Sequence, residues 1–193
     1  MAQILDLSSR FTKEQIEEAK RNTDNHYDLP AGGYICEIIR PILNDDEASG
    51  RANIELQVDI AKGEYAGYFQ RLENSYGFWG LRGWMSFKAS EIERFRQTCT
   101  ALCACNPGLQ FNPFVPGGAD VDSLKGKIIG VVIGKEEYRS NSGDIRERNT
   151  VFRFIETNKI EDGKFKIPPL KKLKEDTSGT SFRRVSTTEE IPY

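Results

Sequence analysis

The stretch "ANIELQVDIAKG" (52–63) decides the fold. Ile54, Leu56, Val58 and Ile60 alternate with Asn53, Glu55, Gln57 and Asp59. Successive side chains of a strand point to opposite faces, so this period of two predicts a β-strand with one buried and one wet face. Outward from it, "NDDEASGR" reads as a turn and "YICEIIRPI" (34–42) as the strand before it. On the other side, after "KGEYAG", "YFQRLENS" (68–75) is expected to be a third strand.

A helix is expected next. Ser90 and Glu93 have capping-box spacing, and Ile92, Phe95, Cys99, Leu102 and Cys103 recur at helical intervals until "NPG" (106–108). A Pro- and Gly-rich loop leads to "KIIGVVIGKEEYR" (127–139), a nearly all-apolar strand at its start. "SNSGD" is a hairpin turn, and "IRERNTVFRFIE" (145–156) pairs back. Three strands, a helix and two strands is the chain order of the five-stranded oligonucleotide/oligosaccharide-binding (OB) barrel, with its helix between strands three and four. A mostly β fold of that kind is the expectation. The competing architecture is a plain antiparallel sandwich with one helix.

The expected domain spans 28–165. Before it, 1–27 forms an appendage with a short helix over 11–22, where Thr12 and Gln15 make a capping box. After it, 166–193 is expected to be a flexible tail, disordered from Glu175 onward, because Lys, Ser and Thr replace any apolar periodicity.

The chain has 193 residues, 38% apolar and 29% charged, enough for one domain with a real core. Its net charge is −2, which excludes a generally basic nucleic-acid binder; any positive face must be concentrated. No apolar run is long enough to span a membrane. The start, "MAQILDLSSRFTKEQ", carries acids and no apolar signal core, so a cytoplasmic location is expected. Cys36, Cys99, Cys103 and Cys105 are then expected to be reduced.

No catalytic constellation appears, and the lone histidine, His26, falls in a loop, so an enzyme is not expected. The C-x3-C-x-C spacing of Cys99, Cys103 and Cys105 lacks the two paired hooks of a zinc knuckle, and two of these cysteines lie on the helix's apolar stripe. Core packing is the expectation. The acidic "NDDE" (44–47) is read as a solvated turn rather than a cation site. Neither metal nor cofactor is expected.

The aromatics carry more information. "EYAGYFQRLENSYGFWGLRGWMSF" (64–87) holds Tyr65, Tyr68, Phe69, Tyr76, Trp79 and Trp84, interleaved with Arg71 and Arg82. Residues 67–105 contain five basic and three acidic side chains, whereas 31–66 contain three and seven. Positive charge thus gathers where the aromatics are. Aromatic faces stack on unpaired bases and arginines follow the phosphates. Some of these rings must also be core. The last hairpin offers Lys135, Tyr138, Arg139, Arg146 and Arg148. By period two, Arg146, Arg148, Phe152 and Phe154 share a face. Glu136, Glu137, Asp144 and Glu147 dilute that patch, so a charged, solubilising hairpin is an equal reading of it.

The chain closes on Glu189, Glu190, Ile191, Pro192 and Tyr193. This "EEIPY" resembles the acidic-apolar C-terminal peptide of bacterial single-stranded-DNA-binding proteins, which docks on replication and repair proteins. Tyr stands where that family has Phe, only two acids precede it, and the tether carries Arg183 and Arg184. The body, through "LPAGGYICEI", "IELQVDIAKGEYAGYF" and "LKGKIIGVVIGKEEYRSNSGDIRERNTVFRFI", resembles small phage and prophage proteins of single-stranded-DNA-binding type over about residues 28–157. The resemblance implies a DNA-replication or recombination role in a bacterial host cell, with single-stranded DNA and replication or recombination proteins as partners. Assembly into a homo-oligomer stays open. The rival expectation is a non-enzymatic β-barrel that binds protein and no nucleic acid.

Overall fold

The structure, a computed structural model, describes residues 12–14, 29–46, 52–77, 79–140 and 142–173. Five antiparallel strands form one sheet in the order β3-β2-β1-β4-β5. They are β1 (Gly32–Asn44), β2 (Asn53–Ile60), β3 (Arg82–Ser86), β4 (Ile128–Arg139) and β5 (Ile145–Ile155). Among the described residues, α1 (Tyr68–Tyr76) lies between β2 and β3, α2 (Ile92–Cys105) between β3 and β4, and α3 (Thr157–Glu161) after β5. As expected, the fold is mostly β, and α2 lies between the third and fourth strands.

β1 is shared by two partners. Gly32–Glu37 pair with β4 and Cys36–Asn44 with β2, with a register shift between Ile38 and Arg40. A bulge of this kind bends and twists a strand. β2 buries Ile54, Leu56, Val58 and Ile60 as its alternation predicts. Its other face is wet only at the start. Gln57 and Asp59 are buried too, because α1 covers that end. β4 reads as a continuous apolar run because both of its faces are covered: Ile129, Val131 and Ile133 have no exposure, and Val132 has 2%. Gly130 lies against Ile160 of α3.

The expected third strand at 68–75 is a helix, α1. Gly67 and Gly77, both left-handed, bracket it, and Tyr68, Phe69 and Leu72 form its buried stripe at helical spacing. Its N-terminus is capped from a distance. Asp59 Oδ1 accepts from Phe69 N at 2.9 Å and Asp59 Oδ2 from Gln70 N at 3.1 Å. Free N–H groups and the helix dipole make that end a favourable place for a carboxylate. Within the helix, Gln70 Nε2 donates to Glu73 and to Asn74.

The third strand is instead Arg82–Ser86, paired with β2 through Ile54–Met85 and Leu56–Gly83. Its inward alternation of Leu81, Gly83 and Met85 is hidden in the sequence by the glycine. A Cβ on Gly83 would stand 2.4 Å from Phe154 Cζ and 3.0 Å from Val151 Cγ1. The edge strands β3 and β5 therefore approach one another closely. They share no hydrogen-bonded ladder among the described residues, so the sheet is not closed there.

Two local expectations also change. The Ser90 capping box is not made: a 3-10 turn, Ala89–Glu91, precedes α2, and no side chain caps either start. Glu93 accepts from Gln97 Nε2 instead. The face shared by Arg146, Arg148, Phe152 and Phe154 is broken by a register shift between Val132 and Ile133. Phe154 turns inward and is buried, while Phe152 is 43% exposed.

On α2, Phe95, Cys99 and Leu102 face the core, with Cys103 partly buried beside it and Ile92 exposed. Burial pushes the Cys99 thiol up to about 12. Asn106 ends the helix and sews it to β4: its Nδ2 donates to Leu102 O and Ile128 O, and its Oδ1 accepts from Ile128 N.

After α3 the chain doubles back. Residues 166–173, expected to open the tail, run along β4: Lys171 N donates to Lys135 O and Glu137 N to Lys171 O. Gly134 admits the ring of Pro168, which a Cβ there would meet at 2.6 Å. Of the expected N-terminal helix, Lys13 and Glu14 are helical and Thr12 is not; residues 11 and 15–22, His26 and Phe78 lie outside the described residues, as does the chain from 174 to 193 with its terminal tip.

Candidate nucleic-acid interface

A groove of about 850 Å³ lies along the seam where β3 and β5 fail to pair. α1 forms its floor, β3 one wall, and the stem of the β4–β5 hairpin the other. It gathers Tyr68, Phe69, Trp79, Arg82, Trp84, Tyr138 and Arg148, seven of the residues singled out in the sequence. Three of these belong to the core as well: Tyr68 is 8% exposed, Phe69 2% and Trp79 4%. Trp84, at 54%, offers its ring to solvent because β3 turns it outward beside Arg82.

The others lie elsewhere. Tyr65 packs edge-on between Tyr34 and Tyr68, with ring centres 6.1 and 6.3 Å away. Tyr34, partly covered, has its phenol pushed up to about 12 by burial. Arg71 donates to Ala66 O beside α1, and Tyr76 is exposed at that helix's end. Arg139 donates to Gly143 O within the hairpin turn.

The groove's cations are not free. Arg148 reaches Glu136 at 2.8 Å while its guanidinium lies 5.4 Å from the Tyr138 ring centre. Lys171 holds the other oxygen of Glu136 at 3.1 Å. Burial works to raise the Glu136 carboxyl, but hydrogen bonds from Lys171 and Arg148 outweigh it and hold the group below its ordinary range. Arg82 lies 3.6 Å from Glu55. Lys135 and Arg146 do not line the groove; they lie 3.9 Å from Glu147 and 3.6 Å from Asp144. Beside the floor, Arg40 pairs with Glu73 at 2.7 Å and lies over the Trp79 ring at 5.2 Å.

Two lining atoms stand out for the opposite reason. Trp79 Nε1 and Asn149 Oδ1 are buried without a hydrogen-bond partner among the described residues. An unpaired buried polar group costs about 1–3 kcal/mol, which a ligand with matching polar edges can offset. One donor and one acceptor, an exposed indole, a half-buried phenol and a set of cations suit a ligand with flat rings, polar edges and negative charge. The sequence pattern singled out the rings, Arg82 and Arg148, but not Lys171. Asn149 was missed, since a lone polar residue in a strand carries no signal. A scan of protein-family models finds none that matches this chain, and a search of curated proteins finds no match either.

Proposed function

We propose that this chain binds single-stranded DNA in the β3–β5 groove and acts as a coat protein without chemistry of its own. In this reading the sheet is an OB-type barrel opened at one seam, and the strand lies in the opening. One observation carries the reading: residues distant in sequence, Trp84 on β3 and Tyr138 and Arg148 on the hairpin, line the same groove. Bases would stack on Trp84 and Tyr138, with phosphates exchanging against Glu136 and Glu55 for Arg148 and Arg82. Unstacked bases present the polar edges that Trp79 Nε1 and Asn149 Oδ1 lack. The terminal "EEIPY" would recruit replication or recombination proteins during replication of a phage or mobile element in a bacterial host's cytoplasm.

The test is a fluorescence titration with oligo-dT at low salt. Trp84 is exposed and Trp79 buried, so the quench is expected to come from Trp84 and to vanish in Trp84→Phe. Loss of a stacking ring by Trp84→Ala is expected to weaken binding by about 1–3 kcal/mol, roughly 5- to 150-fold. A wild-type protein at micromolar concentration that leaves oligo-dT unbound would rule this function out, and leave the protein-binding barrel as the reading.

A further inference from the structure

The groove does not end at Trp84. Trp84 and Val151 also line a second cavity of about 260 Å³ against the start of α2, together with Lys88 and Arg94. Phe154 links that cavity to a third, of about 310 Å³, between α2 and β5, which Arg96 and Arg153 line. The three form one track over the seam and along the flank of α2.

The cations on this flank differ from those in the groove. Lys88, Arg94, Arg96 and Arg153 are all exposed, and none has an acidic partner within ion-pair distance among the described residues. Arg94 is held by the carbonyl of Phe152. Arg96 lies over the ring of Phe114 at 5.2 Å and Arg153 over that of Phe152 at 5.9 Å. Both rings are exposed, at 44% and 43%. A guanidinium stacked on a solvent-facing ring presents a flat cationic surface, a favourable bed for a base and its phosphate. The acids that face the track are Glu91, Glu93 and Glu156; Glu93 accepts from Gln97, and Glu156 is held by Lys159.

We propose that this flank is a second subsite, on which a single-stranded DNA already seated in the groove continues past Trp84 and lays further phosphates against Lys88, Arg94, Arg96 and Arg153. The proposal rests on the groove reading above and extends it to longer strands.

The experiment compares dT oligonucleotides of about 6 and about 16 nucleotides, within the range one such barrel covers. The proteins are wild type and the triple variant Lys88→Ala, Arg96→Ala, Arg153→Ala, which spares the structural Arg94. The wild type is expected to bind the long strand at least ten-fold more tightly than the short one. The variant is expected to lose most of that ratio, and its salt slope for the long strand is expected to fall by about 2, at about 0.7 per phosphate. Circular dichroism checks the fold. If the triple variant does not fold, Lys88→Gln alone serves, with an expected slope loss of about 0.7. A folded variant with an unchanged ratio and slope overturns the second subsite and leaves the groove standing. A wild type that binds neither strand removes the groove reading and the subsite together.

Discussion

Two surfaces flank the seam, and both are basic by count. On the hairpin side Lys135, Arg146, Arg148 and Lys171 each face a carboxylate, and Glu136 serves two of them. On the α2 side Arg96 and Arg153 lie over rings and Arg94 is held by a backbone carbonyl, and neither these nor Lys88 has an acid in ion-pair distance among the described residues. Counting basic residues therefore misjudges where positive potential is available. A cation held by its own carboxylate must break that pair before it can meet a phosphate, whereas one lying on an aromatic ring keeps its field directed outward. In a chain of net charge −2, that difference decides which surface attracts an anion first.

The largest expected effect lies beneath both surfaces. Asp59→Ala leaves the amides of Phe69 and Gln70 at the start of α1 without their acceptor. Hydrogen bonds to a buried carboxylate are worth about 1.5–3 kcal/mol each, so a loss near 3 kcal/mol in urea unfolding is expected. The groove floor would loosen with it, lowering affinity at the hairpin side and the α2 side alike. A variant as stable as wild type would show that α1 does not need this distant cap.

A smaller effect separates the two sides. Glu136→Gln removes the charge that Arg148 and Lys171 share, and is expected to raise DNA affinity and steepen the salt slope by about 0.7–1.4. An equivalent neutralisation beside α2, Glu93→Gln, is expected to change neither by a comparable amount, because its partner is Gln97 rather than a cation. Equal responses at the two positions would erase the contrast between paired and unpaired cations.

The smallest effect is in pH. The Glu136 carboxyl sits below its ordinary value of 4.5 in the folded chain, so its pairing stabilises fully above that value and is lost as pH falls through the lower folded one. Its partners are largely exposed, Arg148 at 61% and Lys171 at 77%, so the contribution is under about 1 kcal/mol. Urea midpoints of wild type and Glu136→Gln are expected to differ near neutral pH and to converge as pH falls below the ordinary carboxylate value of 4.5. A gap that persists in acid would assign the difference to packing instead of charge.

Local pattern alone was enough for β1, β2, β4, β5 and α2: β2 and α2 carry a periodic apolar face, β4 opens on a continuous apolar run, and turn signals set off β1 and β5. It also showed that 67–105 combines aromatic side chains with an excess of basic ones. The sequence could not separate α1 from a strand: Tyr68, Phe69 and Leu72 suit either period, and the cap that stabilises the helix sits on β2, ten positions from Phe69. Nor could it find β3, since the inward position Gly83 shows no side chain and its meaning lies in the Phe154 ring that fills the space. The bulge that turns Phe154 in and Phe152 out belongs to the pairing of β4 with β5, not to either strand. Ion pairing was invisible for the same reason. Whether an arginine faces a carboxylate or an aromatic ring depends on which strands become neighbours, and only the tertiary structure brings Glu136 to Arg148 and Phe114 to Arg96.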